Sequence, residues 1–315
     1  MNKKNYILLP FLFLSLMALT ACGSDGGSSD EEVETSGSEE ESEETAFYTD
    51  ALDRDVEIPE DAERIVAINY FGELTALDIK PVGALDYDLD KYGDDITEGI
   101  ESVGGEEADV EKILELEPDL IISADYVGED AIENYEKVAP TVAFTFGEPA
   151  LEQLETIAGV LGEEDAHEAW LEEYNTSVEE ARSEMEPYIE EGETAAVMQF
   201  FGSDMYMYPT STFPTVYDAA EFEPSEKAGS LDESASLSEE VIPEYVGDAD
   251  RIFVMAADPT AENTLEELQS KDVWSGLPAV ENEKVYTVDN AVWSDFNATM
   301  MERQLEDIVE KVTAE

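Results

Sequence analysis

The stretch EEDAHEAWLEEYNTSVEEARSEMEPY (163–188) divides the sequence into two halves of similar construction. One set of its residues recurs at steps of three or four, which is the spacing of a single helix face. No glycine or proline interrupts this pattern before Pro187, so the stretch predicts a helix of about 24 residues, roughly 36 Å long, that can join two lobes. The residues of this face are His167, Trp170, Tyr174, Val178, Ala181 and Met185.

On both sides of this helix, short apolar runs alternate with segments of helical spacing. Strands that alternate with helices build parallel sheets with helices on both faces. We therefore predict an α/β protein with two Rossmann-like lobes, each containing a mainly parallel sheet, joined by one long α-helix. The predicted strands are RIVAI (64–68), PVGAL (81–85), DLIIS (119–123), TVAFTF (141–146), AAVMQFF (195–201), MYMY (205–208), RIFVMAA (251–257) and KVYTVD (284–289).

The first 45 residues are of a different kind. Lys3 and Lys4, an apolar run over 6–19 and small residues around Cys22 have the layout of a secretory signal. The apolar run is shorter than the ~20 residues that span a bilayer as a helix. Residues 23–45 are almost entirely Gly, Ser, Glu and Asp, a composition that predicts a disordered acidic tether.

The charge balance is strongly negative, with 80 acidic against 15 basic residues. Nucleic acid and anionic lipid surfaces are poor partners for a field of this sign. The acidity has two interpretations: a surface that concentrates cations, or the adaptation of an exported protein to saline or alkaline surroundings. Because the acidic residues are spread over every segment, we favour adaptation.

The sequence contains no motif for catalysis or for direct metal binding. It has no GxSxG, P-loop or HExxH motif, and no GxGxxG follows a predicted strand. His167 is the only histidine and Cys22 the only cysteine, whereas transition-metal sites recruit several such ligands. We therefore interpret His167 as a packing residue, and we expect neither a catalytic residue nor a protein-bound metal.

Aromatic residues follow the predicted strands in both halves. In open α/β sheets, ligands bind in the crevice at the carboxyl ends of the strands. Any single aromatic could belong to the core, but their recurrence predicts a shared cleft for a bulky ligand that is neither wholly apolar nor wholly charged. The predicted cleft residues are Tyr70, Phe71, Tyr87, Tyr126, Phe146, Tyr208, Thr210, Phe213 and Trp293.

From about Thr45 to its end, the chain resembles the iron-siderophore class of ABC-transporter substrate-binding lipoproteins, and within it the ferric-hydroxamate branch. Each supporting segment is a weak pattern alone, but their order and spacing are specific for the class. These segments are RIVAINYFGELTALDIKPVGAL (64–85), VEKILELEPDLII (110–122), VAPTV (138–142), LSEEVIPEYVGDADRIFV (237–254) and WSGLPAVENEKVYTVDNAVWSDFNATMMERQLEDI (274–308).

The resemblance extends to the start of the chain. LTAC (19–22) resembles a bacterial lipobox, which implies a diacylated, palmitate-bearing Cys22 as the mature N-terminus, anchored to the cell membrane and facing outside. The alternative is an ordinary signal peptide with an incidental cysteine. The implied organisation, a class III periplasmic-binding-protein fold, comprises a signal peptide (1–21), a tether (22–45), an N-terminal lobe (46–162), a linking helix (163–187) and a C-terminal lobe (188–315).

The resemblance also implies a function and partners. An Fe(III)-siderophore of the hydroxamate type would bind between the lobes of a monomer and pass to an ABC permease and its ATPase. One acidic residue on each lobe would dock on permease arginines; by position these are Glu111 and Glu240, with Glu239 as a substitute for the latter. Apart from lipid on Cys22, no bound cofactor is implied.

One departure from the class bears on the ligand. The segment YPTSTFPTVY (208–217) lacks an arginine that many members place there, which favours neutral or cationic trishydroxamates over citrate-based or catecholate chelates. Two alternatives stay open. The same fold could bind haem, with Met205 or Met207 as a ligand, or a corrinoid. The chain could also be a surface interaction lipoprotein without a transport role.

Overall fold

The computed structural model of this chain describes residues 46–60 and 62–314. The predicted signal peptide, the tether and Cys22 lie outside the described residues. None of the helices within the described ranges is long and apolar enough to cross a membrane.

The first half contains a five-stranded parallel sheet of short strands, four of which are buried; the exception is the edge strand at residues 101–102. A two-stranded antiparallel hairpin precedes it. In chain order the elements are β1 (Ala46–Thr49), β2 (Asp55–Ile58), β3 (Ile65–Ala67), α1 (Phe71–Ala76), β4 (Gly83–Ala84), α2 (Asp86–Lys91), α3 (Asp94–Thr97), β5 (Glu101–Ser102), α4 (Val110–Glu115), β6 (Leu120–Ala124), α5 (Glu129–Tyr135), β7 (Thr141–Phe144) and α6 (Ala150–Leu161).

The order of strands in this sheet is β5-β4-β3-β6-β7, with every neighbouring pair parallel. The order therefore reverses between β3 and β6. Such a reversal opens a crevice at the carboxyl ends of the two strands, which is the usual ligand site of an open parallel sheet.

Short helical turns of 3-10 type lie in both halves, at Asp125–Val127, Thr210–Thr212, Ala228–Ser230 and Glu239–Val241, and a π-type turn lies at Thr215–Ala219.

The second half begins with the predicted long helix and contains a second sheet. The elements are α7 (Glu164–Met185), β8 (Thr194–Phe201), β9 (Asp204–Met207), β10 (Glu223–Pro224), β11 (Ala235–Leu237), α8 (Ile242–Val246), β12 (Arg251–Ala256), α9 (Pro259–Gln269), α10 (Asp272–Ser275), α11 (Pro278–Glu281), β13 (Val285–Val288), α12 (Asn290–Trp293) and α13 (Ala298–Thr313).

The second sheet is mixed. Its order is β11-β9-β8-β12-β13, and β10 pairs with β8. Strands β8, β12 and β13 are parallel, whereas β9 is antiparallel to β8 and to β11. Gly202 permits the reversal, since its φ of 55° lies in the left-handed region that a tight hairpin turn requires. The predicted α/β class is confirmed, with this antiparallel hairpin as an addition to the mainly parallel pattern.

The long helix α7 has the buried face that its spacing predicts. Trp170, Tyr174, Val178, Ala181 and Met185 are all buried on it, and the rings of Trp170 and Tyr174 stack at a centroid distance of 5.1 Å. The helix packs against α6 and α13. At 22 residues it is about 33 Å long.

One apolar core connects the two halves. It contains residues of the first sheet such as Phe144, of α7 such as Trp170, and of the second sheet such as Phe253. Residues of both sheets and of α7 therefore share one packed core.

Candidate functional site

At the reversal point of the first sheet, Asn69 joins the ends of β3 and β6. Its Oδ1 accepts a hydrogen bond from the backbone N–H of Ala124 at 3.0 Å, and its Nδ2 donates to the Tyr126 hydroxyl at 2.9 Å. The Tyr126 ring is 60% exposed and packs edge to face on Phe146, which is 65% exposed, at a centroid distance of 4.7 Å. An exposed aromatic pair is thus fixed at the carboxyl ends of β6 and β7.

Tyr70 lies beside this pair and is held by the backbone. Its φ of 63° is left-handed, an uncommon conformation for a residue other than glycine. The half-buried hydroxyl donates to the carbonyl oxygens of Phe144 and Thr145 at 3.3 and 3.1 Å. Burial, with smaller effects from nearby carboxylates such as Asp125 and Glu148, raises the pKa of Tyr70, so it remains a neutral phenol.

A third exposed ring, Tyr87 on α2, is braced by Lys91 one helical turn later. The Lys91 ammonium lies 3.9 Å from the ring centroid and donates to the Tyr87 hydroxyl. It also donates to Asp295, in the segment after α12, at 3.0 Å. This ion pair brings the segment that follows β4 against the segment that follows β13, so the carboxyl-end edges of the two sheets meet here.

In the second sheet a chain of polar side chains connects three segments. The Tyr208 hydroxyl donates to Oε1 of Gln199 on β8, and Nε2 of Gln199 donates to Oδ1 of Asn290 at 3.1 Å. Burial is the main reason that the pKa of Tyr208 is raised. Thr210 is half-buried in the following 3-10 turn.

The position of Tyr208 differs from the sequence-based expectation for a physical reason. Because β9 runs antiparallel to β8, residues that follow it do not lie at the carboxyl ends of the parallel strands. Tyr208 is connected to the carboxyl ends of these strands only indirectly. Its hydroxyl donates to Gln199, which in turn donates to Asn290 after β13. The exposed rings at this edge are instead Phe201, the last residue of β8, and Phe296, which follows α12.

Three of the predicted cleft residues are core residues. Phe71, Phe213 and Trp293 are at most 1% exposed, so in this structure they offer no surface to a ligand. Phe213 packs edge to face on Phe296 at 5.5 Å and tilts against Trp293 at 6.3 Å. This burial disfavours direct ligand contact by the three, which stays a prediction. Phe213 packs behind the exposed Phe296, whereas Phe71 packs on buried Tyr92 and Trp293 on buried Phe253.

We group the exposed rings near the carboxyl ends of both sheets as one candidate surface, which we call the carboxyl-end face. Sequence reasoning found its members from the first sheet but missed Phe201, Phe296 and the polar residues Asn69, Gln199 and Asn290. Phe201 ends β8, and Asn69 and Asn290 follow β3 and β13, which is the signal that identified the tyrosines. Gln199 lies within β8 and Phe296 follows α12, so that signal does not identify them. The carboxyl-end face comprises Tyr87, Tyr126, Phe146, Phe201 and Phe296.

Behind Tyr87, the two halves meet through buried polar groups. Thr299 Oγ1 donates to the carbonyl oxygen of Gly72 at 2.8 Å, and a Cβ on Gly72 would lie only 2.2 Å from Asn297, so glycine is required for this approach. Burial, and to a smaller extent Asp295, raises the pKa of Glu73 to about 8 and that of Asp88 to about 7. Near neutral pH Glu73 is therefore mostly protonated, and Asp88 is partly protonated.

No metal site was found in the part of the chain that the structure describes, since no group of three or more His, Cys, Asp or Glu side chains is placed to hold an ion. Three arginines of the described residues are engaged with other groups. Arg64 donates to the carbonyl oxygens of Leu116 and Glu117, Arg182 to that of Ala219, and buried Arg251 to Glu193 at 2.9 Å.

Glu111 and Glu240 are both exposed and lie at matching places. Glu111 is in the first turn of α4, which follows β5, and Glu240 is in the turn that follows β11. Both segments begin at the carboxyl end of a strand and lead into a buried strand of their sheet. Glu239 forms an ion pair with Lys271, which favours Glu240 over it as the accessible carboxylate.

Comparison with known proteins relates the chain to binding proteins. A family model for periplasmic binding proteins matches residues 65–292. The chain is 29% identical to the iron(3+)-hydroxamate-binding protein FhuD of Bacillus subtilis over 96% of each chain, and 29% identical to the probable siderophore-binding lipoprotein YfiY of the same organism over 98% of each. Its fold is similar to that of the FhuD-fold periplasmic binding protein component of a Fep/Fec-like ferrichrome ABC transporter from B. subtilis, with a TM-score of 0.74, 28% identity, and coverage of 84% of this chain and 99% of that one.

Proposed function

This chain belongs to the periplasmic binding protein family, and from that membership we propose that it captures a ferric hydroxamate siderophore outside the cytoplasm and delivers it to an ABC permease. Proteins of this family bind substrates rather than convert them, so the expectation that the chain is not an enzyme is confirmed. The names of two relatives, iron(3+)-hydroxamate-binding and siderophore-binding, support the ligand class.

The observation that carries the proposal is the exposed aromatic pair Tyr126 and Phe146, held at the reversal point of a parallel sheet. In a hydroxamate siderophore the chelate's own oxygens already enclose Fe³⁺, so the protein need not supply a metal ligand. The protein has instead to bind a carbon shell with polar oxygens at its surface. Flat rings with polar edges suit such a ligand.

Tyr126 is the strongest candidate for a hydrogen bond to the chelate. Because its oxygen accepts from Asn69, its own O–H hydrogen points elsewhere and can donate to a ligand oxygen. Tyr70 differs, since its hydroxyl already donates to two backbone carbonyl oxygens. We therefore assign Tyr126 a polar contact and Tyr87 and Phe146 contacts through their rings.

The charge around the site supports a neutral or cationic chelate. The three arginines considered above are all engaged away from the carboxyl-end face, and Asp125 and Glu148 lie close to Tyr70. Anionic citrate-based or catecholate chelates would need cationic partners such as arginine. Ferrichrome-like and ferrioxamine-like trishydroxamates need none.

Delivery would use further features of the chain. We assign Glu111 and Glu240 to docking on the permease, and a diacyl lipid on Cys22 to anchoring, with residues 22–45 as a tether that keeps the monomer beside its transporter. Haem is less well supported, because Met205 and Met207 are buried in the second sheet and so are poorly placed to ligate it.

The test is a calorimetric titration of the purified protein with ferrichrome, ferrioxamine B, a ferric citrate-hydroxamate chelate and a ferric catecholate. We expect binding of at least one of the first two, with the catecholate weakest. Binding of the catecholate alone would contradict the proposal, and a Soret shift on addition of haem without siderophore binding would replace it with the haem alternative.

A further inference from the structure

Lys91 occupies a special place among the cations of the described residues. It is the one whose ammonium contacts a ring of the carboxyl-end face, 3.9 Å from the centroid of Tyr87. Its own side chain is only 5% exposed, so the ammonium lies behind the ring while the ring itself is open to solvent. A buried ammonium needs a counter-charge to be stable.

Asp295 supplies that counter-charge from the other half of the chain, at 3.0 Å. Two further carboxyls face the same place: Asp88 from α2 and Glu73 from α1. Burial raises the pKa of each, so near neutral pH Glu73 is mostly protonated and Asp88 is only partly ionised, whereas Asp295 is the carboxylate that contacts the Lys91 ammonium directly. Arg303 of α13 is a further charged group on this side, and it lies over the ring of Tyr92, 5.5 Å from its centroid.

The consequence is electrostatic. With Asp295 present, the positive charge behind Tyr87 is cancelled, and the carboxylates near Tyr70 leave the carboxyl-end face without a net attraction for anions. Without Asp295, the Lys91 ammonium would lose the carboxylate that it contacts, and more of its positive charge would act through a poorly solvated region, where charges act strongly.

We propose that Asp295 is a charge-selectivity residue of the ligand site, which excludes anionic ferric chelates by neutralising Lys91. The inference rests on the proposed function, because it concerns the choice among ferric chelates. Asp295 need not touch the ligand, because it acts by compensating the charge of Lys91.

The test compares three ferric chelates of different charge on the full-length protein: a citrate-hydroxamate chelate, which is anionic, ferrichrome, which is neutral, and ferrioxamine B, which carries an ammonium group. For Asp295→Asn we expect the ratio of anionic to cationic chelate affinity to rise at least tenfold, with ferrichrome changed by an intermediate factor. Lys91→Met should move the ratio in the opposite direction, because it leaves Asp295 uncompensated.

Glu244→Gln is the matched control. Glu244 pairs with Lys227 at 3.2 Å, and Lys227 lies over the ring of Tyr245, so the same arrangement occurs elsewhere. Tyr245 is tied through Ser225 to Ala195 at the amino end of β8, the opposite edge of the sheet. This variant removes one negative charge too, and its affinity ratio should equal that of the unmodified protein.

The outcomes separate the two proposals. If the unmodified protein binds none of the three chelates, the proposed function fails and the inference with it. If it binds ferrichrome or ferrioxamine B but Asp295→Asn changes all three affinities by the same factor, only the selectivity role is overturned. A double variant, Lys91→Met with Asp295→Asn, that keeps the gain for the anionic chelate would overturn it as well, because the effect would not pass through Lys91.

Discussion

Asn69 holds the hydroxyl of Tyr126 at 2.9 Å while it caps the end of β6 through the backbone of Ala124. One amide side chain therefore connects the two strands at the reversal point and orients an exposed ring. Neither bond is visible from local sequence, since Asn69 and Tyr126 are 57 residues apart.

Asn69→Ala should weaken ferric hydroxamate binding roughly three- to tenfold, because a hydrogen bond of this kind is worth about 0.5–1.5 kcal/mol. Calorimetric titration of both single variants and of the double variant Asn69→Ala, Tyr126→Phe forms a double-mutant cycle. If Asn69 acts by orienting the Tyr126 hydroxyl, its effect should shrink in the Tyr126→Phe background. Fully additive losses would show that the two residues act independently.

Phe146→Ala should lower the affinity for the chelate at least about tenfold, since an exposed ring that becomes buried on binding is a typical anchor worth more than ~1 kcal/mol. Phe47 is the matched control. Its ring is similarly exposed, at 67%, but it lines a groove against α6 rather than the carboxyl-end face. Equal losses in the two variants, measured by the same titration, would show that the carboxyl-end face is not the site.

Trp293→Ala should act on stability before it acts on binding. The indole is fully buried, stacks on Phe253 at 5.2 Å and donates from Nε1 to Asp307 at 2.8 Å. Truncation of a buried aromatic costs about 3–5 kcal/mol, which urea unfolding would measure. Trp293→Phe keeps the stack and should lose less. Unchanged stability with a large loss of affinity would restore Trp293 as a direct ligand contact.

The contrast between Tyr126 and Trp293 shows how much of the candidate site can be predicted from the sequence. Both follow a strand, and periodicity places both at the same edge of a sheet. It does not say which way a side chain turns: Trp293 lies in α12 and turns inward onto β12, while Tyr126 lies in an open 3-10 turn. The buried face of α7 was predictable, because 22 residues of regular spacing carry a strong signal.

The long-range polar contacts could not be predicted from the sequence, for a different reason. Lys91 and Asp295 are separated by 204 residues, and in a chain with 80 acidic residues no single carboxylate is distinguished by its local pattern. The antiparallel pairing of β8 with β9 could not be predicted either. A short turn such as GSD indicates a change of direction, but it does not show which strands pair across it.

Glu73→Gln should flatten the pH dependence of stability. In the folded protein burial raises the pKa of Glu73 to about 8, whereas an unfolded glutamate titrates near ~4.3. Between these values the folded state binds more protons than the unfolded state, so stability falls as the pH rises. Each pKa unit corresponds to about 1.4 kcal/mol, and the neutral glutamine escapes this loss.

The measurement is urea unfolding at pH 5 and pH 8. We expect the variant to match the unmodified protein at pH 5 and to exceed it by several kcal/mol at pH 8. Glu152→Gln, at an exposed position of α6, is the control and should leave the pH dependence unchanged. A variant that is less stable at both pH values would mean that the ionised carboxylate of Glu73 stabilises the fold.

Glu111→Gln and Glu240→Gln should reduce uptake without reducing binding. Both residues are exposed at the start of segments that leave the carboxyl end of a strand, one in each half, so a permease that covers this side could contact both at once. Two charge-assisted contacts to arginine are each worth more than a neutral hydrogen bond, so the double variant should lose several times more uptake than either single variant.

Uptake of iron-labelled ferrichrome by cells, with calorimetry on the purified variants, separates transport from binding. Glu115→Gln, on the same helix and also exposed, should transport normally. A double variant with unchanged uptake would remove these glutamates from the docking surface.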